Sequence, residues 1–195
     1  MVDSLSSSKL EAAMAEQRQK EWQELMGAAL DMLEHPERVE PAPAGKVQPA
    51  IRLWRYESFG PWLSWLLFTP SVNRGPKDLP VLRTIKWSPQ DDVSRLTLPM
   101  EGLRRGFHSR PSISIKDRTL PEDAVAEMSK QLRHIKLAVF AKGPSGCDGT
   151  SFGVETLDPF CSARVSWWED GPPELASVRT WYDAAISLFT LGAET

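Results

Sequence analysis

The chain is poor in the residues that most often carry covalent and metal chemistry. Its 195 residues include two cysteines, three histidines and two tyrosines. Cys147 and Cys161 are too few for a disulfide-built scaffold, and the low count fits a reducing compartment, where a free thiol is a small apolar group. A bond between them is geometrically open and cannot be read from the sequence. No Cys-x-x-Cys pair and no close His/Cys cluster occurs, so no metal is expected, and no nucleotide fingerprint marks a cofactor. Long apolar runs are also missing. Pro61 to Phe68, the greasiest, is far too short to span a bilayer, and Met1 to Ser8 is polar without the apolar core of a secretion signal. The expectation is a cytoplasmic protein with no membrane association. Charge bias is absent too. With 23 basic and 26 acidic side chains the net charge is -3, which argues against nucleic-acid binding through bulk electrostatics.

Tryptophan is abundant, with eight residues against the two tyrosines, and proline is frequent at 16. Indole offers a large apolar area and one N–H that needs a partner when buried. The length suits one sizeable core. The division expected is a helical arm over residues 1–36, a proline-rich linker over 37–49 and a single α+β domain over 50–195, its sheet mostly antiparallel with helices packed on it.

Ser8 to Glu34 reads as an amphipathic helix, with Ser8 and Glu11 at capping-box distance and a stripe through Leu10, Met14, Arg18, Trp22, Leu25, Ala29 and Met32, broken by the charge of Arg18. That stripe needs a surface, either on its own domain or on another chain. His35 to Pro49 contains four prolines and reads as extended linker. Strands are expected at Ala50–Ser58, Trp62–Phe68, Val81–Trp87, Val93–Leu98 and Ser112–Lys116. Thr119 is placed to cap a helix through Val125, Met128, Leu132 and Ile135. A β-hairpin follows: Phe152, Val154 and Thr156 share a face of its first arm, and Cys161, Ala163, Val165 and Trp167 share a face of its second. Leu157-Asp158-Pro159 supplies the turn, and a glycine-rich loop, Gly143 to Gly149, leads in. A last helix starts at Pro172-Pro173-Glu174 and carries Leu175, Val178, Tyr182, Ala185, Ile186 and Phe189 as its stripe, with Trp181 beside them.

No catalytic residues are assigned. Asp148-Gly149-Thr150-Ser151 lacks the lysine and glycine spacing of a phosphate loop and precedes a strand, so it reads as a turn with Gly149 at positive φ. Glu155 alternates away from the Phe152/Val154 face and reads as solvated, and His134 reads as a boundary residue. The candidates for partner binding are Arg104, Arg105, His108 and Arg110, a basic loop suited to phosphate or carboxylate, and Arg164 with Trp168 on the second hairpin arm. Trp168 shares its face with Arg164 and Ser166, where an Arg–Trp stack can form. It reads either as covered by the terminal helix or as an anchor for a protein partner.

The run Asp148-Gly149-Thr150-Ser151-Phe152-Gly153-Val154-Glu155, then Ala163-Arg164-Val165-Ser166-Trp167-Trp168, then Pro172-Pro173 and a helix, resembles a group of uncharacterised bacterial proteins with a DGTSxGxE…ARxSWW…PP hairpin-helix signature. Some of these look like immunity proteins of toxin–antitoxin systems. The resemblance spans Asp148 to about Phe189 and transfers no catalytic residue. The absence of a catalytic constellation, the excess of tryptophan and the mildly acidic composition point to a non-enzymatic module that binds a protein partner, and the resemblance implies that this partner is a toxin or effector. Two other readings stay open: an enzyme acting on a phosphorylated or carboxylated substrate through the Arg104–Arg110 loop, and an assembly protein docking through its N-terminal helix.

Overall fold

The computed structural model describes residues 3–43, 47–71, 78–96, 110–136, 146, 148–157 and 162–191. Six strands form one sheet: β1 (Val47–Glu57), β2 (Trp62–Pro70), β3 (Val81–Trp87), β4 (Ile113–Thr119), β5 (Thr150–Leu157) and β6 (Ser162–Trp168). They lie in the order β4-β3-β2-β1-β5-β6, and every neighbouring pair is antiparallel. The first four make a meander, and β5 and β6 add as a hairpin on the free side of β1. With helices α1 (Asp3–Glu34), α2 (Pro89–Leu96), α3 (Glu122–Arg133) and α4 (Ala176–Thr190), this is the α+β architecture that the alternating strands imply.

Period-two alternation separates two faces of the sheet. Ile51, Leu53, Trp65, Leu67, Leu82, Val154 and Trp167 point to one side, where Val125 and Met128 of α3 and Val178, Trp181, Tyr182, Ala185 and Phe189 of α4 cover them. Burying a large apolar side chain contributes about 1.5–3 kcal/mol, so this layer dominates the stability. The polar tips of α4 in this layer are satisfied: Trp181 Nε1 donates to the Met128 carbonyl (2.9 Å) and Tyr182 Oη to the Trp54 carbonyl (2.8 Å). On the opposite face, Ala29 and Leu33 of α1 are fully buried against Ile85 and Trp87. A row of rings runs beneath that helix, from Trp22 to Trp87, Trp62 and Tyr56. Trp22 of α1 thus stacks on a row of three sheet rings, Trp87, Trp62 and Tyr56.

Several boundaries differ from the sequence expectation. Helix α1 begins at Asp3, so Ser8 lies inside it and does not cap it. The described side chains from Glu11 to Lys20 are all exposed, and the buried stripe is Leu25, Ala29 and Leu33 in place of the stripe through Met14 and Met32. The strand expected at Val93–Leu98 is not found over its described part, Val93 to Leu96, which belongs to α2 (Pro89–Leu96); residues 97 and 98 lie outside the described residues. Pro89 needs no N–H in the first turn, and Asp91 and Asp92 face the positive end of the helix dipole. Asp92 also accepts from Trp87 Nε1 (2.7 Å) and from Ser112 N (2.8 Å) and Oγ (2.6 Å), which ties α2 to β3 and to the entry of β4. Thr119 ends β4 and does not cap α3; Pro121 holds the cap position without a side-chain bond. The end of the proline-rich stretch runs in the sheet, since β1 starts at Val47. Farther back, the buried Arg83 donates to the carbonyls of Glu40 (3.0 Å) and Pro41 (2.9 Å) while its other contacts reach both oxygens of Asp117. Among the described residues no helix is long and apolar enough to cross a membrane.

Candidate partner-binding site

The hairpin places Arg164 and Trp168 on the α1 face of β6, as the alternation implies. Arg164 does not stack on Trp168. Its guanidinium lies 4.8 Å from the ring centre of Trp54 and donates to Glu34 Oε1 at 2.6 Å. Partial burial pulls against the charge, yet the carboxylates of Glu34 and, more weakly, Glu155 lift the Arg164 pKa above the ordinary arginine value. Trp168 is half-buried, and α4 does not cover it, since that helix packs on the other face of the sheet. Two glycines ahead of β5 lie against it: a Cβ built on Gly146 would meet Trp168 Nε1 at 3.0 Å, and one on Gly149 would meet Cζ2 at 2.8 Å. Arg110 is exposed at the entry to β4. Arg104, Arg105, His108, Cys147, Asp158 and Cys161 lie outside the described residues.

Beside Arg164 sits Arg52, which is 3% exposed. Its Nη2 pairs with Glu155 Oε2 at 2.7 Å and lies 3.8 Å from Glu34 Oε1, while its guanidinium also flanks Trp54, at 5.0 Å. Glu155 is therefore not a solvated residue: it meets Arg52 across the β1–β5 ladder, under the shelter of α1. Two arginines and two glutamates form a neutral quartet around one indole. It also offsets the unfavourable placement of Glu34, a carboxylate at the negative end of the α1 dipole. The quartet's chemistry is mechanical, fastening the end of α1 to β1, β5 and β6. Sequence reasoning missed it because Arg52 and Glu155 alternate with apolar residues as a solvent-facing row does. Only a helix over that face turns the row inward.

The end of the sheet beyond Glu57 carries a different surface. Phe59, in the β1–β2 turn, is 79% exposed. The turn beneath it is fixed on both sides. Ser58 N donates to the Gly149 carbonyl (2.9 Å), Gly149 N donates to Ser58 Oγ (3.0 Å), and Gln90 Nε2 of α2 donates to the Phe59 carbonyl (2.7 Å). The next turn joins the same frame through Thr150 N to Glu169 Oε1 (2.6 Å) and Glu169 N to the Thr150 carbonyl (2.8 Å). These bonds hold Glu169 at φ 49°, a left-handed conformation that non-glycine residues rarely adopt. Gly149, at φ 145°, has the positive φ that its place in a turn implies. Asp148, Glu169 and Asp170 are exposed around this end. Phe59 was readable only as part of a Phe-Gly-Pro turn, where nothing in the sequence tells an exposed ring from one folded inward.

Elsewhere, His134 caps the end of α3 in an exposed position, its ring Nδ1 at 2.7 Å from the Lys130 carbonyl. A hollow of about 410 Å³ between the start of β1 and α3 has Arg133 as the one charged residue of its described lining. Among the described residues no group of three or more His, Cys, Asp or Glu is gathered as a metal site would require. Comparison of the chain with protein families, curated proteins and solved structures finds no match.

Proposed function

We propose that this chain is a non-enzymatic protein-binding module, of the immunity type that sequesters a toxin or effector, and that Phe59 is its anchor. The carrying observation is the exposure of that ring on a turn braced by β5 and α2. An exposed phenylalanine on a rigid mount gains apolar burial on docking and loses little conformational freedom. The acidic side chains of Asp148, Glu169 and Asp170 around it favour a partner with a basic surface. In this reading Trp168 holds Gly146 and Gly149 behind the anchor and Arg164 holds α1, so both support the surface from beneath.

The test is co-expression with the products of neighbouring genes. A toxic neighbour should be neutralised and should co-purify with the chain, and Phe59→Asp should lose both effects while melting at the wild-type temperature. Neutralisation that persists in Phe59→Asp, or no neighbour bound by the wild type, contradicts the proposal. The exposed Glu11–Lys20 half of α1 favours a second reading, assembly through that helix. Removing residues 1–20, which leaves Leu25, Ala29 and Leu33 in place, would then abolish binding where Phe59→Asp does not.

A further inference from the structure

We infer that β6 pairs with β6 of a second copy of this chain, continuing the sheet across a two-fold axis at Val165. The sheet has two outer edges, and they differ. On β4 the run Lys116-Asp117-Arg118 carries three consecutive charges; Asp117 is held by Arg83 and Arg118 by the Leu188 and Leu191 carbonyls, and Lys116 adds an exposed lysine to that edge, a residue that discourages pairing. The β6 sequence, Ser-Ala-Arg-Val-Ser-Trp-Trp, has one charge, Arg164, and its guanidinium is drawn back toward Glu34 and Trp54.

The backbone of β6 has an inward and an outward set. Ala163 N donates to Thr156 Oγ1 and Glu169 N to the Thr150 carbonyl, so the odd-numbered residues present their amides to β5. By alternation the amides and carbonyls of Arg164 and Ser166 face away from the sheet. Among the described residues nothing is bonded to that side of either one.

Folding this sequence antiparallel onto itself about Val165 matches large residues with small ones throughout. Arg164 stands opposite the second copy's Ser166, Trp167 opposite Ala163 and Trp168 opposite Ser162. The two Val165 side chains meet at the axis, on the face that carries Val154 and Trp167. Placing the axis at Arg164 would set two guanidinium groups side by side, and like charges directly opposite are destabilising. The pair Arg164–Ser166 is then the hydrogen-bonded one and Val165–Val165 the close non-bonded one. The contact is isologous, so it closes as a dimer and leaves the Phe59 end of each copy free. It rests on the β6 edge alone and holds whatever the partner at Phe59 is.

Sedimentation equilibrium of the full chain tests this, and the expected mass is twice that of one chain. Ser166→Pro removes an outward amide that β5 does not use, and Ser166→Lys sets a lysine against the second copy's Arg164; both should sediment as folded monomers. In a Cys147→Ser, Cys161→Ser background, Val165→Cys should form a cross-linked dimer on mild oxidation, whereas Ala163→Cys, displaced from the axis, should not. A wild-type monomer overturns the inference. So does a dimer that persists in Ser166→Lys, or one in which Val165→Cys fails to cross-link.

Discussion

The indole of Trp54 lies across Gly153 on the neighbouring strand, in the space where any other residue would carry its Cβ. Trp54 is 2% exposed, so the ring has no room to withdraw. The same ring carries the guanidinium groups of Arg52 and Arg164. One missing side chain on β5 thus sets the height at which the quartet and the end of α1 rest on the sheet.

Gly153→Ala should therefore destabilise the fold by about 3 kcal/mol, the upper range for forcing extra volume into a packed site. Urea unfolding monitored by tryptophan fluorescence measures it. A change within about 0.5 kcal/mol, the ordinary range for an innocuous surface substitution, would mean that Trp54 has an alternative seat.

Glu155→Ala should cost about 3 kcal/mol, because it removes the close partner of the buried Arg52 and leaves only the Glu34 carboxylate, 3.8 Å away and shared with Arg164. Glu155→Gln keeps the shape and one acceptor and should cost less. Glu34→Gln should be milder still, since Arg164 is half-exposed and water takes over part of its solvation. Chemical denaturation of the three variants gives the order, and a Glu155→Ala effect no larger than that of Glu34→Gln would contradict the account.

Of the chain's two tyrosines, Tyr182 is buried and Tyr56 is half-buried with its hydroxyl shut off from water, and desolvation pushes both phenols well above their ordinary value. In the unfolded chain they ionise near pH 10, about the normal tyrosine value. Their neutral burial thus contributes stability that is complete below pH 10 and declines as the pH rises above it, because the unfolded state then releases protons that the folded state retains. Tyrosinate absorbance should stay absent as the pH passes 10 and appear together with loss of the fold. A simple titration near pH 10 in the folded protein would contradict the desolvation of both phenols.

Much of the sheet was readable because its strands alternate cleanly. The facing of Phe152, Val154 and Thr156 with Ala163, Val165 and Trp167 follows the hairpin register that is found. Val93 misled because a short apolar–polar alternation fits a strand as well as a helix turn; the deciding signal, Ser88-Pro89 followed by two acids, lay just upstream. The polar quartet was illegible for a deeper reason. Whether Arg52 and Glu155 face water or a helix depends on where α1 docks, which is a tertiary fact. Arg164 and Trp168 were found on the correct face, but their contacts, Glu34 and Trp54 for one and Gly146 and Gly149 for the other, join segments far apart in the chain.

Titration calorimetry of the purified partner against the wild-type chain and Phe59→Ala measures what the exposed ring contributes to binding. Binding should be about 30-fold weaker for Phe59→Ala, equivalent to the roughly 2 kcal/mol that defines a hot spot, with folding stability unchanged. Equal affinity for the two proteins would show that the exposed ring is not the anchor.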